Sequence, residues 1–356
     1  MAKVGLVFGG RSVEHEVSLV SARTVALALE QAGHQLVALG VAQDGCWVPR
    51  ELSERALAGD LDRLEPLGES VSASTHRLLE GGSEVLFPLI HGSGGEDGSL
   101  QGLAETLDLP YVGCGVSASA VAMDKVLCKA ELERAGVPVV ESVSFSKSRF
   151  EADSGGCIAE TRELPFPLFV KPSLGGSSVG VRKVRDAATL EEAIQFAFQF
   201  GDVVLVERGV DGRELECAVL GHRQVRASEV GEIVAGKDFY DYADKYLEEG
   251  AQLRAPAPLD PEVSSHLRAL AVRSFQAIGG SGLARVDFLL EGEDQLFVNE
   301  LNTLPGFTSI SMFPRLWELS GLSNADLVGL LIGFAFEKHE DRRRLDGGIR
   351  DWLASL

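Results

Sequence analysis

Leu283-Ala284-Arg285-Val286-Asp287-Phe288-Leu289-Leu290 and, a short polar turn later, Leu296-Phe297-Val298-Asn299-Glu300-Leu301-Asn302 read as two apolar strands of one hairpin. Strand side chains alternate faces, so Arg285 and Asp287 share one side of the first strand. On the return strand Val298, Glu300 and Asn302 are expected to share a side. Pairing that aligns the polar sides turns the oxygens of Asp287, Glu300 and Asn302 towards one point, with Arg285 beside them. Two carboxylates and an amide suit Mg²⁺, which usually leaves its other positions to water and substrate phosphates. A hairpin with a solvated polar face has the same pattern. The next segment, Thr303-Leu304-Pro305-Gly306-Phe307-Thr308-Ser309-Ile310-Ser311, favours a site, because this turn-rich run can bring backbone N–H groups to the same metal.

Length and composition bound the rest. The 356 residues, 45% of them hydrophobic, suffice for two or three domains with real cores. No apolar run approaches membrane-spanning length, and the opening Met1 to Gly10 reads as a first strand, not a signal peptide. Five scattered cysteines without a Cys-x-x-Cys pair fit a reducing cytosol and argue against a zinc site or disulfide framework. A formal charge of −20 excludes a basic nucleic-acid-binding surface. An acidic chain that holds a polyphosphate must gather lysines, arginines and metal locally.

The pattern begins as α/β: strand Val4 to Phe8, glycine turn, helix Val17 to Glu30 ending at Gly33, then strand Gln35 to Val41. Val85 to Ile90 is a further strand running into the Gly-rich stretch from His91 to Gly98, a usual ligand position in open α/β sheets. One alanine-rich helix is expected over Ser117 to Ala135, closed by Gly136 and Pro138. Strands at Val139–Phe145, Leu168–Lys171, Val179–Val184 and Val203–Glu207 follow, with a Thr189-to-Glu192 capping box opening a helix. Leu215–Leu220 and Gln224–Val230 pair as a hairpin, and Asp260-Pro261 starts a long helix to Ile278. The order is an α/β N-terminal domain, a small α+β middle domain and a larger α+β C-terminal domain.

Lys171-Pro172-Ser173-Leu174-Gly175-Gly176-Ser177-Ser178-Val179-Gly180 is the second strong signal. Glycines let backbone N–H groups approach phosphate oxygens and serines add donors. It lacks the Gly-Lys-Ser/Thr ending of a P-loop and is flanked by strands, so it reads as a flap over a nucleotide with Lys171 as phosphate contact, or as an ordinary mobile hairpin loop. Lys125 is a second candidate phosphate lysine or a solvated charge. Glu207 at a strand exit, with Glu214 soon after, can face adenine and ribose or lie at an exposed strand end. The segment from Gly236 to Tyr246, rich in tyrosine and charge, has the character of an active-site lid or a surface loop. Glu14 just past the first glycine turn can grip an ammonium or simply favour a helix start. The N–H groups opening the helix after Ser311 are a ready carboxylate site.

Taken together, these segments resemble the D-alanine–D-alanine ligases of the ATP-grasp superfamily. The resemblance rests on four motifs spread through nearly the whole chain: Glu14-His15-Glu16-Val17-Ser18, His91 through Gly102, Lys171 through Gly180, and Arg285-Val286-Asp287 with Glu300 through Gly306. It implies a three-domain α/β plus α+β fold, with an N-terminal parallel α/β domain over 1–115, a central ATP-grasp subdomain carrying the flap over 116–209, and a C-terminal one with lid and metal site over 210–356. It implies that Glu14 holds the ammonium of the first D-alanine and His91 lies near its carboxylate. Lys125, Lys171, Ser177, Ser178 and Lys245 would hold ATP phosphates, Glu207 the adenine and Glu214 the ribose. Asp287, Glu300 and Asn302 would carry two Mg²⁺ ions, with Mn²⁺ as substitute. Arg285 and the Gly306 N–H would stabilise the oxyanion, and Ser311 and the Met312 N–H the second D-alanine's carboxylate. Tyr246 would join Ser177 and Glu14 in closing the site; tyrosine there goes with an amine nucleophile, phenylalanine or histidine with hydroxy-acid acceptors. Met312 stands where the family commonly has leucine. A cytoplasmic homodimer formed through the N-terminal domain, acting on D-alanine and ATP without nucleic acid or membrane, completes the expectation.

Three other readings are separable. A D-alanine–D-lactate ligase differs by acceptor. A nicotinamide dehydrogenase would need a Gly-x-Gly-x-x-Gly after the first strand, which is missing. A non-catalytic amino-acid-binding protein would leave two phosphate-type loops and a metal hairpin without purpose.

Overall fold

The computed structural model describes residues 1–234 and 252–356. Strands β1 (Lys3–Gly9), β2 (Gln35–Val41) and β3 (Val85–Pro88) form a parallel sheet in the order β2-β1-β3. Their near-continuous burial is what a parallel strand covered on both faces requires. The connecting helix His15–Gln31 packs Leu19, Ala22, Val25 and Leu29 inward at helical spacing. His15 belongs to this core: its Nδ1 lies 2.8 Å from the Gly10 carbonyl while Nε2 accepts the Leu64 N–H at 3.0 Å.

The remaining sheets are antiparallel. β4 (Ser142–Ser146), β5 (Leu168–Pro172), β6 (Arg182–Val184) and β7 (Val203–Arg208) lie in the order β4-β7-β5-β6. β8 (Gly212–Gly221), β9 (Val225–Val234), β10 (Gln252–Arg254), β11 (Gly282–Glu291) and β12 (Gln295–Asn302) lie in the order β10-β9-β8-β11-β12. This mixed α/β architecture, parallel at the N-terminus and antiparallel beyond, is the expected one. β4 starts later than expected, because Val139 makes only an isolated bridge to Val298. β6 starts at Arg182 because Gly180, at φ +76°, turns the chain there. The capping box is not made: Thr189 is itself in helical geometry and its hydroxyl turns to Asp186. Asp260 does cap the helix Pro261–Ala277, accepting from the Glu262 N–H at 2.8 Å.

Two further differences bear on function. The single helix expected over Ser117 to Ala135 is two, Val116–Met123 and Lys125–Arg134, broken at an extended Asp124. Its carboxylate accepts from the N–H groups of Val126 and Leu127, so the acid ends one helix by starting another. The second is a long helix, Asn324–Ala354, for which no expectation was drawn. It lays Leu327, Val328, Leu331 and Ile332 into the same core as Phe8 and Leu29, returning the C-terminal part of the chain to the first sheet. No single described helix is long and apolar enough to cross a membrane.

Candidate active site

The hairpin of β11 and β12 sets the centre. Asp287 faces Glu300 and Arg285 faces Asn302, but Phe288 already pairs with Val298, leaving Asn299 as an extra residue. This bulge corrects the simple alternation. Val298 does not share a side with Glu300; it is wholly buried with Val286, Phe288 and Leu301. Regular alternation running from Val298 through Asn299 would carry Glu300 and Asn302 into that core. With the bulge, both line a cleft of about 1450 Å³ between the sheets.

Across the neighbouring strand Asp287 also faces Glu216, so three carboxylates stand in a row on β8, β11 and β12. Like charges directly opposite repel, and Arg285 answers part of that charge. Its Nε lies 2.7 Å from Asp287 Oδ1 and its Nη2 2.6 Å from Oδ2, with Glu216 Oε1 at 3.2 Å from Nε. Burial would lower the guanidinium pKa, but Asp287 and Glu216 hold it well above its ordinary value. Glu216 was missed in the sequence, since only the strand register reveals it. Among the described residues no three His, Cys, Asp or Glu side chains gather tightly enough to hold a metal by themselves. The pair Asp287 and Glu300, with Asn302 two residues on, nevertheless fits Mg²⁺, which takes one or two carboxylates and completes its shell with phosphate and water.

The helix break presents Lys125 to the Gly-rich loop. Its backbone N–H donates to the Ser173 carbonyl at 2.9 Å, its Nζ to the Gly175 carbonyl at 2.6 Å, and Nζ lies 3.7 Å from Glu300 Oε2. Burial lowers its pKa against the pull of Glu300. Ser177 and Ser178 hold positive φ, +52° and +58°, an uncommon state for residues with a Cβ. On β5, Lys171 is ion-paired with Glu207. Lys129, not singled out from the sequence, lies 2.6 Å from the other Glu207 oxygen and donates to the Val140 carbonyl at 3.0 Å. Burial would raise the Glu207 carboxyl, but Lys171 and Lys129 bring it below its ordinary value. The Glu207 side chain is thus held by lysines, while Glu214 on β8 lines the cleft.

At the opposite wall Ser177 donates to Glu14 Oε1 at 2.6 Å, joining the flap to the first helix. His91 is buried, its Nδ1 2.9 Å from the Leu304 carbonyl and its Nε2 3.1 Å from Ser21 Oγ. Burial would lower its pKa, but Glu96 and then Glu14 leave it raised. Ser311 takes the Thr308 N–H at 2.9 Å and precedes the helix Met312–Leu319, whose first residue is buried. A Cβ on Gly306 would stand 2.9 Å from Ser311 Oγ, so a larger residue there would displace that hydroxyl from the Thr308 N–H. Glu14, His91, Lys125, Lys171, Ser177, Ser178, Glu207, Glu214, Arg285, Asp287, Glu300, Asn302, Gly306, Ser311 and Met312 all line the one cleft. Lys245 and Tyr246, and the expected lid, lie outside the described residues.

Two antiparallel sheets closing over lysines, a Gly-rich turn and a carboxylate hairpin define the ATP-grasp class, and solved structures agree. A D-alanine–D-alanine ligase from Coxiella burnetii superposes with TM-score 0.82 at 32% identity, covering 99% of this chain and 98% of that one. The VanG D-Ala:D-Ser ligase from Enterococcus faecalis gives 0.80 at 34%, covering 94% and 99%. The sequence models described as D-ala D-ala ligase N-terminus and C-terminus match residues 3–114 and 132–333. D-alanine–D-alanine ligase A of Escherichia coli K12 is 42% identical over 353 residues, spanning 95% of this chain and 96% of its own. That of Chromobacterium violaceum is 44% identical, spanning 94% and 95%. The chain belongs to the D-alanine–D-alanine ligase family.

Proposed function

We propose that the protein joins two D-alanines to D-alanyl-D-alanine at the expense of ATP, for peptidoglycan precursor synthesis. The observation that carries this reading is the placement of Arg285, Asp287 and Glu300 on one wall of a cleft that also holds Glu14, Lys125 and Lys171. A carboxylate is a poor acyl donor until phosphorylated, so the first D-alanine passes through an acyl phosphate. Glu14 holds its ammonium. His91, with both ring nitrogens engaged by protein atoms, acts on the first D-alanine's carboxylate through the loop it supports. Lys125, Lys171 and Lys245 hold phosphates under the flap of Ser177 and Ser178, with Glu207 and Glu214 along the adenine and ribose. Asp287, Glu300 and Asn302 would hold two Mg²⁺ ions, or Mn²⁺, which supply charge neutralisation between nucleotide and carboxylate. Arg285 and the Gly306 N–H stabilise the oxyanion formed by the attacking amine. Ser311 and the Met312 N–H seat the second D-alanine's carboxylate. Tyr246 joins Glu14 and Ser177 to exclude water, which would hydrolyse the acyl phosphate.

The three sheets, falling within 1–115, 116–209 and 210–356, support the three-domain division. The exposed Leu27 on the first helix supports a homodimer through the N-terminal domain. Five free, buried cysteines support a reducing cytoplasm. The test is ADP release by the purified protein. Release that requires both Mg²⁺ and D-alanine, and is not elicited by L-alanine, is expected; release indifferent to either overturns the proposal.

A further inference from the structure

Ser21 has no place in the chemistry so far, yet it is fully buried on the first helix and touches two parts of the site. Its Oγ accepts the Phe307 N–H at 3.2 Å and lies 3.1 Å from His91 Nε2. The other ring nitrogen of His91 lies 2.9 Å from the Leu304 carbonyl. A carbonyl only accepts, so His91 carries a proton on Nδ1, and its Nε2 meets Ser21 Oγ whichever of the two supplies the proton between them. The result is a buried polar chain from Leu304 through His91 and Ser21 to Phe307. Leu304 and Phe307 are each 2% exposed, anchored in the core by their side chains. The pinned groups belong to the peptide planes after Leu304 and before Phe307. The plane between them carries the Gly306 N–H, at the half-buried point of the turn facing the cleft. Hydrophobic anchoring fixes where the turn lies; the hydrogen bonds fix how its peptides are rotated.

We propose that Ser21 is a positioning residue for acyl transfer: with His91 it clamps the backbone on both sides of Gly306 and aims that N–H at the oxyanion. This rests on the ligase reading given above. Ser21→Ala in the full chain lowers kcat roughly tenfold or more, as sub-ångström misplacement of a reacting geometry does, and leaves KM for ATP within about twofold of the parent. Affinity for a dipeptide phosphinate, whose tetrahedral anion mimics the attacked carbonyl, falls by a similar factor. A kcat within twofold of the parent overturns the proposal. So does a kcat loss with unchanged phosphinate affinity, or one matched by a rise in KM for ATP. Because Ser21→Ala strands the Phe307 N–H, Ser21→Cys is made alongside. It keeps the volume and a weak hydrogen-bonding atom, and recovers part of the loss; a Cys variant no better than Ala overturns the clamp. Imidazole nitrogen shifts in histidine-labelled protein separate this idea from the ligase reading. A proton fixed on His91 Nδ1 in the parent, lost or only partly held in Ser21→Ala, is expected whatever the substrate. Its absence overturns the clamp even if D-alanine is ligated.

Discussion

Arg285 holds two carboxylates at once, Asp287 through a paired fork and Glu216 through Nε. Removing one oxyanion donor typically costs about a hundred- to a thousand-fold in rate. Arg285→Ala is expected to lose that much kcat, measured per folded protein; near-normal turnover would remove Arg285 from the mechanism. Glu207 makes a different demand. Its buried charge rests on Lys129 and Lys171 together, and breaking one partner of such a buried pair typically costs about 3–5 kcal/mol. Lys129→Met should lower the denaturant midpoint by a corresponding amount and raise KM for ATP; an unchanged midpoint would deny the pairing its structural role. The residue types were legible in advance, because Arg285, Asp287, Lys171 and Glu207 sit in segments whose pattern is local. Glu216, Lys129 and Ser21 were not, because each meets its partner across distant stretches of chain.

The break at Asp124 turns a helix-forming sequence into a device. An alanine-rich segment before Asp124 and the lysines, leucines and glutamates after it favour one continuous helix, yet the bridge from Asp124 to Leu174 and the bond from the Lys125 N–H to Ser173 hold the chain extended there. Tertiary pairing overrides propensity, and Lys125 reaches the flap as a result. Asp124→Ala should cost about 1 kcal/mol for the lost cap, read as a shifted urea midpoint, and weaken ATP binding through Lys125. A shifted midpoint with unaltered KM for ATP would separate the cap from the site. The bulge at Asn299 is a similar case. Alternation alone places Val298 with Glu300, and only the pairing of Phe288 with Val298 exposes the change of phase.

At the scale of the whole molecule, the helix Asn324–Ala354 ties the last part of the chain to the first sheet. Lys338 donates to the Gly113 carbonyl at 2.7 Å and stands 3.5 Å over the Tyr111 ring. Burial pulls its pKa down to about 7, against contacts that favour the charged form. The unfolded chain therefore binds more protons at this lysine between about pH 7 and its ordinary pKa. Its contribution to stability then rises with pH across that window. Lys338→Met should flatten the dependence of Tm on pH above 7; an unchanged slope would mean that Lys338 keeps its proton throughout. The sheets and their order were legible from local pattern, whereas this closure, made between residues far apart in sequence, was not. The cleft is proposed to make one D-alanyl-D-alanine bond for each ATP consumed. The most direct measurement is the product formed with Mg²⁺, ATP and equal D-alanine, D-serine and D-lactate, quantified against ADP. One D-alanyl-D-alanine per ADP is predicted. ADP without dipeptide, or a product ending mainly in D-serine or D-lactate, would contradict it.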